Sequence, residues 1–162
     1  MSALLIYDHA PLGSIISYSD GTPQPPGRHS KAFVDWKVRN NVGRLSRKDA
    51  ARRIANWNHP DAITLDWCRY SDGAVVILPY SQTFWVTSEL KFTVLERPAV
   101  GSILVLDRSG ENIRRVHVAA SQDDASAWLE RKENYSPHRV AVLREVTADD
   151  VAADVVEGRM PA

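Results

Sequence analysis

From Ile63 to Ala119 the apolar residues recur with a period of two instead of 3.6, and no other feature limits the possible folds as much. In ITLDWCRY, Ile63, Leu65 and Trp67 alternate with Thr64, Asp66 and Cys68. The SDG that follows suits a type I turn with Gly73 in the left-handed position, and AVVILPY returns as the partner strand. Val75 to Leu78 is apolar on both faces, which predicts a central strand. Thr83 to Thr87 follows, then Leu90 to Glu96 with Leu90, Phe92 and Val94 on one face. A last pair, Ile103 to Leu106 and Ile113 to Val118, is joined across DRSGEN. Strands joined by turns this short pair antiparallel.

The flanking segments read differently. Leu4 to Tyr7 is apolar throughout and predicts a strand, with a second at Ser14 to Tyr18. In SDGTPQPPGR, Pro23, Pro25 and Pro26 remove backbone donors while Gly21 and Gly27 punctuate the ends, so Ser19 to Arg28 predicts an exposed loop. Two helices are expected next. The first runs from Lys31 to Asn40 behind Ser30 as N-cap. The second runs from Arg47 to Trp57, where Ser46 and Asp49 have the form of a capping box. On that second helix Ala50, Ala51, Ile54 and Trp57 share an apolar arc, opposite Lys48, Arg52, Arg53 and Asn56. Toward the C-terminus, Ser121 and Asp124 open a helix bearing Ala125, Trp128 and Leu129, and Arg139 to Val146 reads as a strand. Thr147 with Asp150 opens a last helix carrying Val151, Val155 and Val156, with Gly158 as its stop.

The expected fold is α+β in one domain of 162 residues. It comprises an antiparallel, meander-like sheet of about six to eight strands, with an N-terminal helical pair and C-terminal helices packed on one face or edge. Residues 1–28 supply one or two strands and the Pro-rich loop, and 29–58 the basic helical segment. Residues 62–120 supply the antiparallel β core, and 121–162 a helix–strand–helix.

Charge gives the sharpest compositional signal. The chain is neutral overall, but Arg28, Lys31, Lys37, Arg39, Arg44, Arg47, Lys48, Arg52 and Arg53 stand against Asp35 and Asp49, a local net charge of +7. Two helices joined across Gly43 have the outline of a helix-turn-helix. Arginine and lysine contact phosphates, arginine reads guanine and asparagine reads adenine. The first function implied is therefore non-enzymatic binding of nucleic acid through Arg44, Arg47, Lys48, Arg52, Arg53 and Asn56. The competing account pairs the basic run with the acidic last helix, which holds Asp149, Asp150, Asp154 and Glu157.

The alternative function is a protein-interaction module that meets an acidic protein surface through the same helices, or a partner through the Pro-rich loop; a homo-oligomer also fits. An enzyme with a dispersed site, built from His59, Asp61, His117 and Cys68, ranks behind both. The five histidines show no HxH, HExxH or HxxxH spacing, and GxGxxG, Walker-type, GxSxG and EF-hand signatures are missing. No cofactor and no metal are implied. His117 alternates with Val116 and Val118, which places it on the opposite face of its strand. Cys68 is the only cysteine, so an intramolecular disulfide and cysteine-rich zinc sites are excluded. No stretch approaches the roughly 20 apolar residues of a membrane span, and no basic segment precedes the first apolar run. The expected compartment is the cytoplasm, without a membrane partner.

Overall fold

Period-two patterning and short turns do yield antiparallel ladders, but in two principal sheets instead of one. The computed structural model describes residues 1–71, 74–109, 112–131 and 140–151. In chain order the elements are α1 (Ala3–His9), β1 (Ile15–Ser19), α2 (Lys31–Arg39), β2 (Asn41–Asp49), β3 (Arg52–Ile54), β4 (Trp57–His59) and β5 (Ala62–Ser71). They continue with β6 (Ala74–Trp85), β7 (Lys91–Glu96), β8 (Ile103–Ser109), β9 (Asn112–Ala119), α3 (Gln122–Glu130) and β10 (Val140–Glu145). A five-stranded sheet has the order β6-β5-β2-β1-β7, a three-stranded sheet the order β10-β8-β9, and β3 and β4 form a separate ribbon. The architecture is α+β with antiparallel pairing. It is not a meander, because β7 returns to pair with β1 and not with β6.

Three expectations near the N-terminus are corrected. Leu4 to Tyr7 is not a strand but part of α1. Ser2 caps it, its side chain accepting the Leu5 N–H, and the buried residues Ala3, Ile6 and Ala10 fall at helical spacing. The apolar run was too short for its period to separate helix from strand. The second basic helix, Arg47 to Trp57, does not exist, so there is no N-terminal helical pair. Ser46 caps nothing: it is fully buried in β2 and its hydroxyl donates to Thr64 O at 3.2 Å. A helix of this length is marginal without a face to bury, whereas β2 gains a ladder on each side, with β1 and with β5. The first helix does form as α2 behind Ser30. The β core accordingly begins before residue 62, since β1 and β2 are interior strands of the main sheet.

β6 corrects the expected central strand. It is an edge, and it absorbs the separate strand expected at Thr83 to Thr87. Its apolar residues Val76 and Ile77 are exposed. Strands β7 to β10 and α3 form where expected, with Ser121 accepting the Asp124 N–H at the start of α3. The last helix begins at residues 148–151, where the Asp150 carboxylate accepts the Thr147 N–H. Gly73, Arg139, Val155, Val156 and Gly158 lie outside the described residues.

The main core lies between α1 and one face of the five-stranded sheet. Ile16, Tyr18, Leu45, Ile63, Leu65, Phe84 and Phe92 meet Ala3, Ile6 and Ala10 there. The Phe84 and Phe92 rings meet edge to face at 5.4 Å and 80°. Position 43 on β2 requires glycine, because an added Cβ would stand 2.7 Å from Leu65 Cβ and 3.0 Å from Asp66 O on β5. The smaller sheet packs one face on α3 through Ile103, Val105, Ala119 and Ala125. Its other face carries Leu104 and Leu106 with Val146, and Leu12, which also touches the main core, joins the two.

Candidate functional site

The basic segment is continuous in sequence and divided in space. α2 precedes β2 and the β3–β4 ribbon follows it, so the nine residues of β2 hold them at opposite ends. At about 3.3 Å per residue that separation is roughly 30 Å. The six residues expected to contact nucleic acid are thereby divided among different surroundings. Arg52, Arg53 and Asn56 stay together on the ribbon. Arg47, at the end of β2, pairs with Asp49 at 2.8 Å. Lys48 turns into a cleft and Arg44 into a space between the sheets.

The ribbon is the most exposed element in the chain's basic half. Every residue from 50 to 58 is exposed. Arg52 pairs with His59, Arg53 with Asn58 and Ile54 with Trp57, leaving Ala55 and Asn56 as a two-residue tip. Trp57 is 74 % exposed and Ile54 48 %. Ala55 carries φ +52°, a left-handed conformation in which a side chain costs about 1–3 kcal/mol. Arg53 Nε donates to the Ala55 carbonyl and holds that tip, while Asp61 secures the base by accepting the Ala51 N–H at 2.6 Å. The sequence placed Arg52, Arg53 and Asn56 on one side and Trp57 on the other; the ribbon instead exposes all four.

Between the sheets, Arg44 of β2 stands opposite Asp66 of β5, on the face away from Leu45 and Leu65. β9 lies against β2 and brings two adjacent arginines to that carboxylate. Arg114 meets Asp66 Oδ1 at 3.0 Å, and Arg115 meets Oδ2 at 2.9 Å while donating Nε to Leu45 O. Arg115 is only 2 % exposed. Burial and the neighbouring Arg44 and Arg114 push its guanidinium down to about 10 against the pull of Asp66. Arg44 Nε is buried and has no hydrogen-bond partner among the described residues. The bend that admits this cluster is a bulge between Asp66 and Cys68 on β5. Tyr70 then reaches across the curled sheet to donate to Glu96 Oε2 at 2.8 Å.

Cys68 and His117 flank this ion cluster without contributing to a nucleophilic pair. Cys68 is buried, and that burial raises its thiol pKa despite Arg44 and Arg115 nearby. His117 stacks flat on Trp128 at 4.8 Å, and burial, reinforced by Arg115, lowers its pKa. Its expected side is half corrected. Val118 packs on the opposite face with Leu104, but Val116, displaced by the bulge in the β8–β9 ladder, packs toward α3 as well. The four dispersed residues do not converge: Asp61 lies seven positions from Cys68 along β5, more than roughly 20 Å. Among the described residues, no group of three or more His, Cys, Asp or Glu is placed to hold a metal. Nor is any described helix long and apolar enough to cross a membrane.

Lys48 lines a cleft of about 380 Å³ between α1, β2, β10 and the helical turn at 148–151. Asp149 and Asp150 reach the same cleft, but the cation that Asp150 takes is Arg144. Sequence reasoning could not join Asp8, His9 and Arg144 to Lys48, because these residues come from elements far apart in the chain. Burial pulls the Lys48 ammonium down to about 8; Arg144 and Arg97 push the same way and Asp8 opposes them. The folded value lies below the ordinary 10.5, so from pH 8 to 10.5 the unfolded chain binds more protons and this group makes stability rise with pH. Urea unfolding at pH 7 should therefore show Lys48→Met as more stable than the parent chain, and at pH 10 the gap should shrink. An unchanged gap would mean that the ammonium is not desolvated.

In comparisons with known proteins, a family model described as uncharacterised conserved protein UCP036055 matches residues 1–150. No curated protein and no solved structure matches the chain.

Proposed function

We propose, for a chain that belongs to the family of uncharacterised conserved protein UCP036055, a non-enzymatic binding function in which the β3–β4 ribbon grips nucleic acid. The observation that carries this reading is the exposure of Trp57 beside Arg52, Arg53 and Asn56 on one narrow ribbon. A two-stranded ribbon has the width of a groove reader, and exposed arginines meet phosphates. An indole 74 % in water gains most by stacking, and an unpaired base offers a flat face for it. Unpaired strands are therefore the favoured form. A cytoplasmic location belongs to the same proposal; the unpaired, buried Cys68 supports it.

Fluorescence anisotropy with labelled single-stranded oligonucleotides at about 50 and 200 mM salt tests this, since phosphate contacts lose affinity steeply over that range. Charge reversal of both Arg52 and Arg53 to Glu should weaken binding by at least about 10-fold and flatten the salt dependence. Trp57→Ala should cost about 1–3 kcal/mol of affinity. Binding that survives the double reversal unchanged, or no binding at the lower salt, removes the reading.

A second reading rests on α2. That helix buries none of its residues, and Val34 and Val38, one turn apart, are 56 % and 42 % exposed. Lys37 and Arg39 border the two valines, so the matching surface is an apolar protein patch with an acidic rim. A photo-crosslinker at Val34 should trap one discrete acidic protein, and Val38→Asp should abolish the adduct. Loss of that selectivity, with the same products at an exposed site such as Leu95, would leave α2 as ordinary surface.

A further inference from the structure

The Lys48 cleft has a polar rim and an apolar floor. Ala10, Pro11, Leu12, Leu104 and Val146 form the floor, while Asp8, His9, Arg144, Asp149 and Asp150 supply the rim. Arg144 is bound to Asp150, whose other oxygen accepts the Thr147 N–H at 2.8 Å and the Thr147 hydroxyl at 3.1 Å. Arg97 donates to the His9 carbonyl. Lys48 differs. Among the described residues its ammonium has no hydrogen bond and no ion pair, and it stands over the Tyr7 ring, 6.0 Å from the centroid. Lys48 is half-buried and opens on the cleft, so its ammonium is partly stripped of water with no carboxylate bound to it. An amine in that situation sheds its proton readily and presents a lone pair to whatever enters the cleft.

We propose that Lys48 is a nucleophilic amine that captures small uncharged aldehydes as a reversible imine. The Nζ lone pair attacks the carbonyl carbon, the π pair moves to oxygen, and a proton passes from nitrogen to that oxygen to give the carbinolamine. Protonation of the hydroxyl then releases it as water, the C–O bond breaks and the C=N bond forms. One aldehyde is consumed and one water released, with no change of oxidation state. Asp8 and His9, at the rim of the same cleft, are the groups available to carry these protons. Substrate charge follows from the lining. With Lys48 neutral, Asp8, Asp149 and Asp150 outnumber the nearby Arg97 and Arg144, which disfavours anionic carbonyl compounds. The apolar floor suits a short alkyl chain. The groups that face this amine are Tyr7, Asp8 and His9 from α1, Arg97 after β7, Arg144 from β10, and Asp149 and Asp150 from the helical turn. The inference does not depend on the ribbon.

Reductive trapping on the full chain tests it, with propanal and cyanoborohydride at pH 7.5 and peptide mass spectrometry comparing Lys48 with the exposed Lys31, Lys37 and Lys91. Lys48 should be alkylated at least about 10-fold faster than the other three, since each unit by which an amine's pKa is lowered raises its neutral fraction about tenfold. Its rate should level off above about pH 8, whereas theirs keep climbing. Glyoxylate, an anionic aldehyde, should label Lys48 more slowly than propanal. In urea the four rates should converge, which ties the effect to the folded cleft. Labelling of Lys48 at or below the rate of the exposed lysines in the folded chain, or faster with glyoxylate than with propanal, overturns the proposal.

Discussion

Asp66→Ala is expected to cost about 3–5 kcal/mol, because it leaves the Arg115 guanidinium buried with no counter-charge. Asp66 receives Arg115 on one oxygen and Arg114 on the other. The two arginines differ in what they lose. The Arg114 side chain is 48 % exposed and can return to water, but that of Arg115, at 2 %, cannot. Leu45 O remains as an acceptor for Arg115 Nε, which satisfies one donor and no charge. Arg115→Met should therefore be milder than Asp66→Ala, since Asp66 keeps Arg114. Combining Asp66→Ala with Arg115→Met should recover much of the loss. Urea unfolding of the two single variants and the double gives the coupling directly. Additive losses would show that the two side chains do not depend on each other.

Phe92→Ala is expected to cost a similar amount, about 3–5 kcal/mol, for a different reason. Phe92 is fully buried and packs on Tyr18 and Phe84. Its backbone exchanges hydrogen bonds with Met1, whose ammonium donates to Phe92 O at 2.7 Å. Those backbone links hold β7 and the start of α1 in place, so the void left by the ring cannot close easily. Phe92→Leu, which keeps most of the volume, should lose much less. Equal losses for Ala and Leu would point to the ring contacts and not the cavity. Neither variant touches the ribbon or the Lys48 amine, so each tests the scaffold separately from the function proposed on it.

Local chemistry was legible wherever one side of an element faces a neighbour. Alternation at Ile63, Leu65 and Phe92 predicted strands, and Ser30 and Ser121 predicted helix starts, because a cap or a half-buried strand is decided by residues within a turn of each other. The basic run failed for the complementary reason. Ala50, Ala51, Ile54 and Trp57 have helical spacing, yet no surface covers them, and β2 is drawn into the sheet by β1 and β5. Propensity within the segment lost to two ladders supplied from outside it.

The candidate sites divide along the same line. The presence of Arg52, Arg53, Asn56 and Trp57 in one short stretch was visible, and so was the acidity of Asp149 and Asp150. Their neighbours were not. Asp66 meets Arg115 across 49 positions, and Lys48 shares its cleft with Asp8 and Arg144 from either end of the chain. By itself the sequence determined an α+β chain with antiparallel strands, one cysteine and a basic stretch, since composition and short-range period require no knowledge of partners. Tertiary structure alone decided that the strands divide into two sheets, that β6 is an edge, and that one +7 segment is split among α2, the space between the sheets, the Lys48 cleft and the ribbon. Pairing energy depends on which strand lies 4.8 Å away, and burial depends on what covers a face; both are properties of the assembled fold.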